Sequence, residues 1–244
     1  MQPYLILPKR HTVDDAAIWL AAVKRGLKTH RTHLRDGIID DLPADADKNS
    51  LYYYGNTLQI LESKGLFATV RLDPLWVYEV NQLYIFGRLI DVDSFKNLKY
   101  YNVNKKLFVK CVHEKWFTPT ICFPKDLISE ASKPDDLVHI QDVVEFTQEV
   151  RCFCLNGEIV TYSYYRKNGQ LWSAGITDTP PLPRWEWLVK EASKALPDSI
   201  VIDVGLIGSE WYVIEANEPW ASGLYDCDPD KVLEVILAGQ TENR

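Results

Sequence analysis

Apolar runs alternate with polar segments over the first quarter of the chain, in a pattern typical of α/β structure. The run "YLIL" at residues 4–7 predicts a short buried strand, and the apolar residues of 12–28 then recur at helical spacing. A second strand is predicted at 51–54, followed by a turn at 55–56 and a short helix that ends at Gly65. The chain therefore opens with a strand, a helix and a strand, the order of a small α/β unit.

From Lys105 onward the pattern changes to closely spaced strands. The sequence "NG" at 156–157 predicts a tight hairpin turn between two of them. A helix is predicted over 184–196, because its apolar residues recur on one side. The proline-rich stretch 177–183 predicts a loop that could act as a lid. The predicted strands of this region are "KKLFVKCV", "TICFP", "LVHIQDVVEF", "EVRCFCL" and "EIVTYSYYR".

Three oxygen-bearing side chains lie in the apolar runs "IVIDVGLI" and "EWYVIEANE", which predict a hairpin around residues 208–209. Glu215 and Asn217 are two positions apart and therefore share one face of their strand. Pairing through the turn brings Asp203 opposite Glu215. Two carboxylates and an amide oxygen suit Mg²⁺, especially when phosphate oxygens and waters complete the octahedron. The alternative is structural: Asp203 caps a turn, Glu215 faces solvent and Asn217 opens the next loop.

Basic residues mark a second candidate site on the preceding strands. Glu149 and Arg151 share a strand face, and the planar fork of an arginine suits a phosphate or a carboxylate. They could instead form a structural ion pair on a solvated face. Lys110 ends an apolar run, where its amine could reach water along the apolar surface or contact a phosphate. Cys152 and Cys154 alternate with Arg151, so they are predicted to point to the opposite face as core residues.

Composition limits the classes of function. The chain has 244 residues, a formal net charge of -7 and a pI near 5.3, which argue against non-specific binding of nucleic acid because that needs a basic surface. Its five cysteines have no CxxC spacing, so a disulfide framework or a zinc site is not expected. No apolar run is long enough for a signal peptide or a membrane span. These features predict a cytoplasmic protein with no nucleic-acid or membrane partner.

The order of the segments over residues 105–235 resembles the ATP-grasp family. "FVK", which ends at Lys110, resembles the strand whose lysine contacts ATP phosphates, and "IQDVVEFTQE" resembles the hinge that holds adenine. "EVRCFCLNGEIVTYSYYR" is similar to the central hairpin of the family, and the pattern of Asp203, Glu215 and Asn217 is similar to its metal-binding end. The combination looks most like the divergent clade that includes eukaryotic cell-division-cycle protein 123 and many bacterial and phage proteins.

The resemblance implies an α+β fold in which two β-rich lobes clasp ATP. The ATP-grasp domain would span residues 105–238, after a small α/β N-terminal domain at 1–104 and before a disordered tail at 239–244. The sequence departs from the family pattern at two places. The segment expected to close over the phosphates, "CVHEKWFTPT", has no glycine, and Val201 stands where the family commonly has an arginine.

The resemblance also implies a role for each candidate residue, with ATP and Mg²⁺ as cofactors. Glu149 would bind the ribose, and Arg151 or Arg166 would be the catalytic cation that stabilises the transferred phosphate. The implied metal ligands are Asp203, Glu215 and Asn217. The residues implied at the phosphates and the adenine are Lys110, Lys115, Gln141, Asp142 and Val143.

The implied activity is ATP- and magnesium-dependent ligation of a carboxylate to an amine through an acylphosphate. Its substrates would be small molecules, peptides or proteins, and its product an amide or peptide bond. Two alternatives use the same nucleotide site: an assembly factor for a protein partner, as in cell-division-cycle protein 123, and an ATP-dependent kinase. A ligase needs a pocket for carboxylate and amine beside the γ-phosphate, whereas an assembly factor needs an exposed apolar patch.

Overall fold

The structure, a computed structural model, describes most of the chain. The described residues are 3–9, 12–32, 34–35, 38–39, 51–55, 72–101, 103–112, 116–127, 133–172 and 185–241. Three sequence predictions lie outside them: Lys115, the helix ending at Gly65 and the loop at 177–183.

A three-stranded parallel sheet and one helix begin the fold. The elements are β1 (Tyr4–Pro8), α1 (Val13–Lys24), β2 (Lys28–Thr32), a two-stranded pair β3 (Leu34–Arg35) and β4 (Ile38–Ile39), and β5 (Leu51–Tyr53). The sheet has the strand order β2–β1–β5. Helix α1 starts with a capping box, in which the backbone amide of Asp15 donates to Thr12 Oγ1 (3.1 Å) and the amide of Thr12 donates to Asp15 Oδ2 (3.2 Å). The predicted strand, helix and strand are therefore confirmed.

A four-stranded antiparallel sheet follows the short helix α2 (Gln82–Phe86). Its strands are β6 (Ile90–Ser94), β7 (Leu107–Cys111), β8 (Thr120–Cys122) and β9 (Leu137–Gln141), in the spatial order β6–β9–β7–β8. Because β6 pairs with β9, this sheet begins upstream of residue 105, where the sequence placed the start of the domain. Asp91 and Asp93 hide β6 in the sequence, since they leave few apolar positions to reveal the strand.

A five-stranded antiparallel sheet forms the second half of the chain. The elements are β10 (Gln148–Leu155), β11 (Glu158–Lys167), β12 (Gln170–Leu171), α3 (Glu186–Ser193), β13 (Ser199–Ile207) and β14 (Glu210–Asn217). The strand order is β12–β11–β10–β13–β14. The predicted turn between β10 and β11 is confirmed, and Asn156 (φ 52°) and Gly157 (φ 77°) both have the positive φ that this tight turn requires. The predicted hairpin of β13 and β14 is confirmed as well.

Both faces of this sheet are covered. On one face Cys152, Cys154 and Val150 pack with Trp185 of the segment that leads into α3, and all four are fully buried. On the other face Phe153 packs against residues of the N-terminal sheet. The prediction that Cys152 and Cys154 are core residues is confirmed, because alternation along β10 turns them away from Arg151. Helices and mainly antiparallel sheets together give the α+β class that the sequence predicted.

The last helix, α4 (Pro229–Thr241), continues past residue 239, where the sequence predicted a disordered tail. The reason is a contact over 187 residues of sequence: Gln240 Oε1 accepts from the amide of Tyr53 (2.9 Å), and Gln240 Nε2 donates to the carbonyl of Tyr53 (2.8 Å). Both hydrogen bonds are buried and extend the edge of the N-terminal sheet. No helix in the described part of the chain is long and apolar enough to cross a membrane.

Candidate functional site

A row of charged side chains crosses the five-stranded sheet. In the register of the antiparallel strands, Arg151 of β10 lies opposite Asp203 of β13, and Asp203 lies opposite Glu215 of β14. Directly opposite residues point to the same face, so the three side chains are neighbours. The prediction that Asp203 lies across from Glu215 is confirmed, and Arg151 joins them from 52 residues upstream of Asp203.

Arg151 and Asp203 form a buried, two-pronged ion pair. Arg151 Nε donates to Asp203 Oδ1 (2.9 Å) and Nη2 to Oδ2 (2.7 Å), and the side chains are 9% and 1% exposed. Burial alone would lower the pKa of Arg151, but the carboxylate of Asp203 raises it above its ordinary value. The structural alternatives are therefore wrong for these residues, because Asp203 lies within a strand and Arg151 pairs with it rather than with Glu149 on a solvated face.

Lys110 joins this row from the other sheet. Its Nζ on β7 contacts Glu215 Oε2, and Asn217 Nδ2 donates to Glu215 Oε1 (3.0 Å). Burial would raise the pKa of Glu215, but Lys110, Asn217 and Arg151 outweigh it and lower the pKa to about 2. Glu215 is thus a carboxylate at neutral pH, held at the junction of the two sheets.

The predicted ribose-binding acid and one predicted catalytic cation lie beside the row. Glu149 Oε2 accepts a hydrogen bond from the hydroxyl of Tyr165 (2.6 Å), and Arg166 Nε lies 3.5 Å from Glu149 Oε1. The side chain of Arg166 is 40% exposed, whereas that of Glu149 is 16% exposed. Of the two candidate catalytic arginines, Arg166 therefore has the more accessible guanidinium.

The predicted adenine segment lies at the end of β9. Gln141 is buried, and its side chain points between the two sheets rather than outward. Asp142 contacts Lys105, and its amide lies 3.4 Å from the carbonyl of Leu89. Val143 is exposed. The three residues thus face different environments, and the backbone of 142–143 is the part open to solvent.

Arg88 connects this segment to the charged row, and no pattern around it in the chain indicated this role. It is 3% exposed; its Nε donates to Gln141 Oε1 (2.8 Å), Nη1 to the carbonyls of Phe86 (2.9 Å) and Val213 (3.0 Å), and Nη2 to that of Ile214 (2.8 Å). Burial lowers its pKa to about 10, so it remains a cation at neutral pH. Its acceptors on β14 are backbone carbonyls, which no sequence motif marks.

Replacing Arg88 with lysine is expected to lower the free energy of unfolding by about 1–3 kcal/mol, since one ammonium cannot serve the side chain of Gln141 and the carbonyls of β14 at once. Denaturant unfolding measures the change. Arg25→Lys is the matched control, because Arg25 is a more exposed arginine with a carbonyl and a carboxylate partner. Equal stability of the two variants would show that the contacts of Arg88 contribute nothing.

A stack of two tyrosines covers Arg151. The rings of Tyr165 and Tyr225 are 4.5 Å apart at an interplanar angle of 17°, and Cζ of Arg151 lies 4.8 Å from the Tyr225 ring centroid and 5.7 Å from that of Tyr165. The remaining nitrogen of Arg151, Nη1, donates to the carbonyl of Gly223 (3.1 Å). The sequence marked these tyrosines only as aromatic-rich stretches.

The chemistry of the row fits a divalent cation held together with an anionic ligand. Among the described residues there is no cluster of three or more His, Cys, Asp or Glu side chains suited to a metal. Glu215 and Asn217 nonetheless place two oxygen-bearing groups in contact, with Asp203 opposite. The charges of Arg151, Asp203, Lys110 and Glu215 cancel, so a dication would need negative charge from its partner, as phosphate oxygens provide.

The chain belongs to the ATP-grasp family, because residues 85–235 match the sequence model of an ATP-grasp domain, the second family of its clade. The match includes every predicted site residue and also Arg88. It begins upstream of residue 105, as the four-stranded sheet does.

Solved structures share the fold at low sequence identity. D-alanine–D-alanine ligase from Bacillus anthracis aligns over 99% of this chain and 98% of its own, with 14% identity and a TM-score of 0.54. A RimK domain ATP-grasp protein from Sphaerobacter thermophilus aligns over 96% and 99%, with 11% identity and a TM-score of 0.61. A RiPP-associated ATP-grasp ligase from Chryseobacterium gregarium, in complex with ADP and a leader and core peptide, aligns over 100% and 98%, with 14% identity and a TM-score of 0.50. Comparison with curated protein sequences finds no match.

Proposed function

We propose that the protein is an ATP- and magnesium-dependent ligase that joins a carboxylate to an amine through an acylphosphate. The observation that carries the proposal is the meeting of Lys110 with Glu215 and Asn217 where the two sheets join. A cation from one sheet and oxygen donors from the other are what a magnesium-bound triphosphate requires. Membership of the ATP-grasp family supports ATP as the nucleotide.

Each candidate residue then has a role in nucleotide binding. Lys110 and Lys115 bind phosphates, the segment 141–143 contacts adenine, and Glu149 binds the ribose. The proposed metal ligands are Asp203, Glu215 and Asn217. Mg²⁺, when bound, neutralises charge on the phosphates.

The proposed reaction has two steps. A carboxylate oxygen of the substrate attacks the γ-phosphorus and ADP leaves; the amine nitrogen then attacks the acyl carbon, phosphate leaves, and the nitrogen loses a proton. Arg166, with its exposed guanidinium, stabilises the transferred phosphoryl group. Arg151 acts from beneath, where its positive charge is fixed by Asp203. The similarity to a ligase solved with a leader and core peptide favours a peptide as one substrate.

A second candidate, an assembly factor that uses the nucleotide as a switch, is favoured by one surface feature. Leu83, Tyr84 and Trp187 are 64%, 57% and 46% exposed, and the rings of Tyr84 and Trp187 lie 5.1 Å apart. Grouped exposed apolar side chains are typical of protein-binding surfaces. A ligase that modifies a protein could use the same surface.

Calorimetric titration with ATP, with and without Mg²⁺, tests the nucleotide site, and phosphate release with pooled amino acids or peptides tests the ligase. Release stimulated by one pool supports ligation and identifies its substrate class. Magnesium-dependent binding without stimulated release from any pool favours the assembly factor. Absence of binding overturns both.

Lys110→Ala is expected to weaken ATP binding by about 10- to 100-fold and adenosine binding hardly at all, because the lost contact is a charge-assisted bond to phosphate. Calorimetry with both ligands measures the difference. Lys106→Ala, which removes an exposed lysine from the same segment, is the control. Equal losses for ATP and adenosine would point to a packing role for Lys110.

A further inference from the structure

The loop after β14 contains an unusual backbone conformation. Tyr225 (φ 48°) and Asp226 (φ 68°) are consecutive residues other than glycine with positive φ. This conformation is costly for an aromatic residue, and it persists only where surrounding contacts enforce it. The contacts of this loop therefore indicate what the strain serves.

Two hydrogen bonds to side chains hold the loop immediately before the strained residues. The carbonyl of Gly223 accepts from Arg151 Nη1 (3.1 Å), and the amide of Leu224 donates to Asp14 Oδ2 (3.0 Å). Leu224 is 3% exposed, which fixes the loop further. Tyr225, the next residue, then places its ring against Arg151.

The approach of Asp14 to this loop requires a glycine. A Cβ on Gly223 would lie 3.2 Å from Asp14 Oδ2 and 3.9 Å from Arg151 Nη1. The Asp14 carboxylate and the Arg151 guanidinium thus lie on either side of one backbone position. They are linked through it although they do not form a hydrogen bond with each other.

Asp14 belongs to the first turn of α1, outside the part of the chain that matches the family. We propose that Asp14 is a positioning residue: by holding the amide of Leu224, it keeps the Gly223 carbonyl and the Tyr225 ring on Arg151, so that the N-terminal unit completes the site. This inference rests on the proposed function for its catalytic consequence. Arg151, fixed on one side by Asp203, is fixed on the other by the loop that Asp14 anchors.

The test is the basal hydrolysis of MgATP by the full chain, measured as kcat and KM. Asp14→Ala is expected to reduce kcat about tenfold while KM for MgATP changes less than about twofold, since Asp14 fixes Arg151 and touches no predicted nucleotide ligand. Asp14→Asn retains an acceptor oxygen and is expected to restore most of the rate. Asp73→Ala is the control, because Asp73 also accepts from a backbone amide, that of Leu75 (2.9 Å), but lies away from Arg151.

An Asp14→Ala variant with the wild-type kcat would overturn the inference, and so would a loss of rate as large in Asp73→Ala. If the wild-type protein does not hydrolyse MgATP, the ligase proposal loses its support. The positioning is then decided by urea unfolding of Asp14→Ala, Arg151→Lys and the double variant. Non-additive changes support the link through Gly223 and Leu224, and additive changes overturn it.

Discussion

Replacing Asp203 with alanine is expected to lower the free energy of unfolding by about 3–5 kcal/mol, because it leaves the buried guanidinium of Arg151 without its carboxylate. Nε and Nη2 of Arg151 both lose their acceptors, and the stacked tyrosines that cover it offer no replacement. Urea unfolding followed by tryptophan fluorescence measures the change.

Two further variants separate the buried charge from lost packing. Arg151→Met combined with Asp203→Leu is expected to be less destabilised than Asp203→Ala alone, since neither buried charge remains. Glu191→Ala removes an exposed ion pair with Lys194 and is expected to cost less than about 1 kcal/mol. If Asp203→Ala is no more costly than Glu191→Ala, the pair is hydrated rather than buried.

Replacing Glu215 with glutamine is expected to weaken ATP binding in the presence of Mg²⁺ by about 100-fold or more, because the amide keeps the shape of the side chain but removes a charge that the cation needs. The fold should persist, since the side chain is 30% exposed and glutamine can still accept from Asn217. Calorimetric titrations with ATP, with Mg²⁺ and with a chelator, measure the effect. The difference between the two conditions should disappear in the variant.

Glu210→Gln is the matched control, because it makes the same change at the exposed start of the same strand. It is expected to leave the nucleotide affinity unchanged. Wild-type affinity in Glu215→Gln would remove Glu215 from the metal site. A weakening that is equal with and without Mg²⁺ would instead assign Glu215 to the orientation of Lys110.

Local patterns predicted much of the fold and the core of the candidate site. Alternation placed Glu215 and Asn217 on one strand face, and the turn at 208–209 set the register that brings Asp203 across. The Asn156-Gly157 turn set β10 and β11 in the same way. These features depend on neighbours within one hairpin, where the period of a strand determines which side chains meet.

Contacts between distant segments could not be predicted in the same way. Lys110 and Glu215 are 105 residues apart, and their contact depends on how one sheet packs against the other. Arg88 binds backbone carbonyls, which every residue has, so its partners leave no trace in the sequence. The extension of α4 to Thr241 depends on Gln240 finding the backbone of Tyr53.

The contact of Gln240 with Tyr53 also constrains the order in which the protein can fold during synthesis. The buried core of the N-terminal sheet includes Leu5 and Ile18 together with Trp220 and Ile236. Most of the chain must therefore leave the ribosome before the first strand can acquire its final neighbours. Until then β1, whose residues are all buried in the finished protein, stays an apolar segment without its full cover.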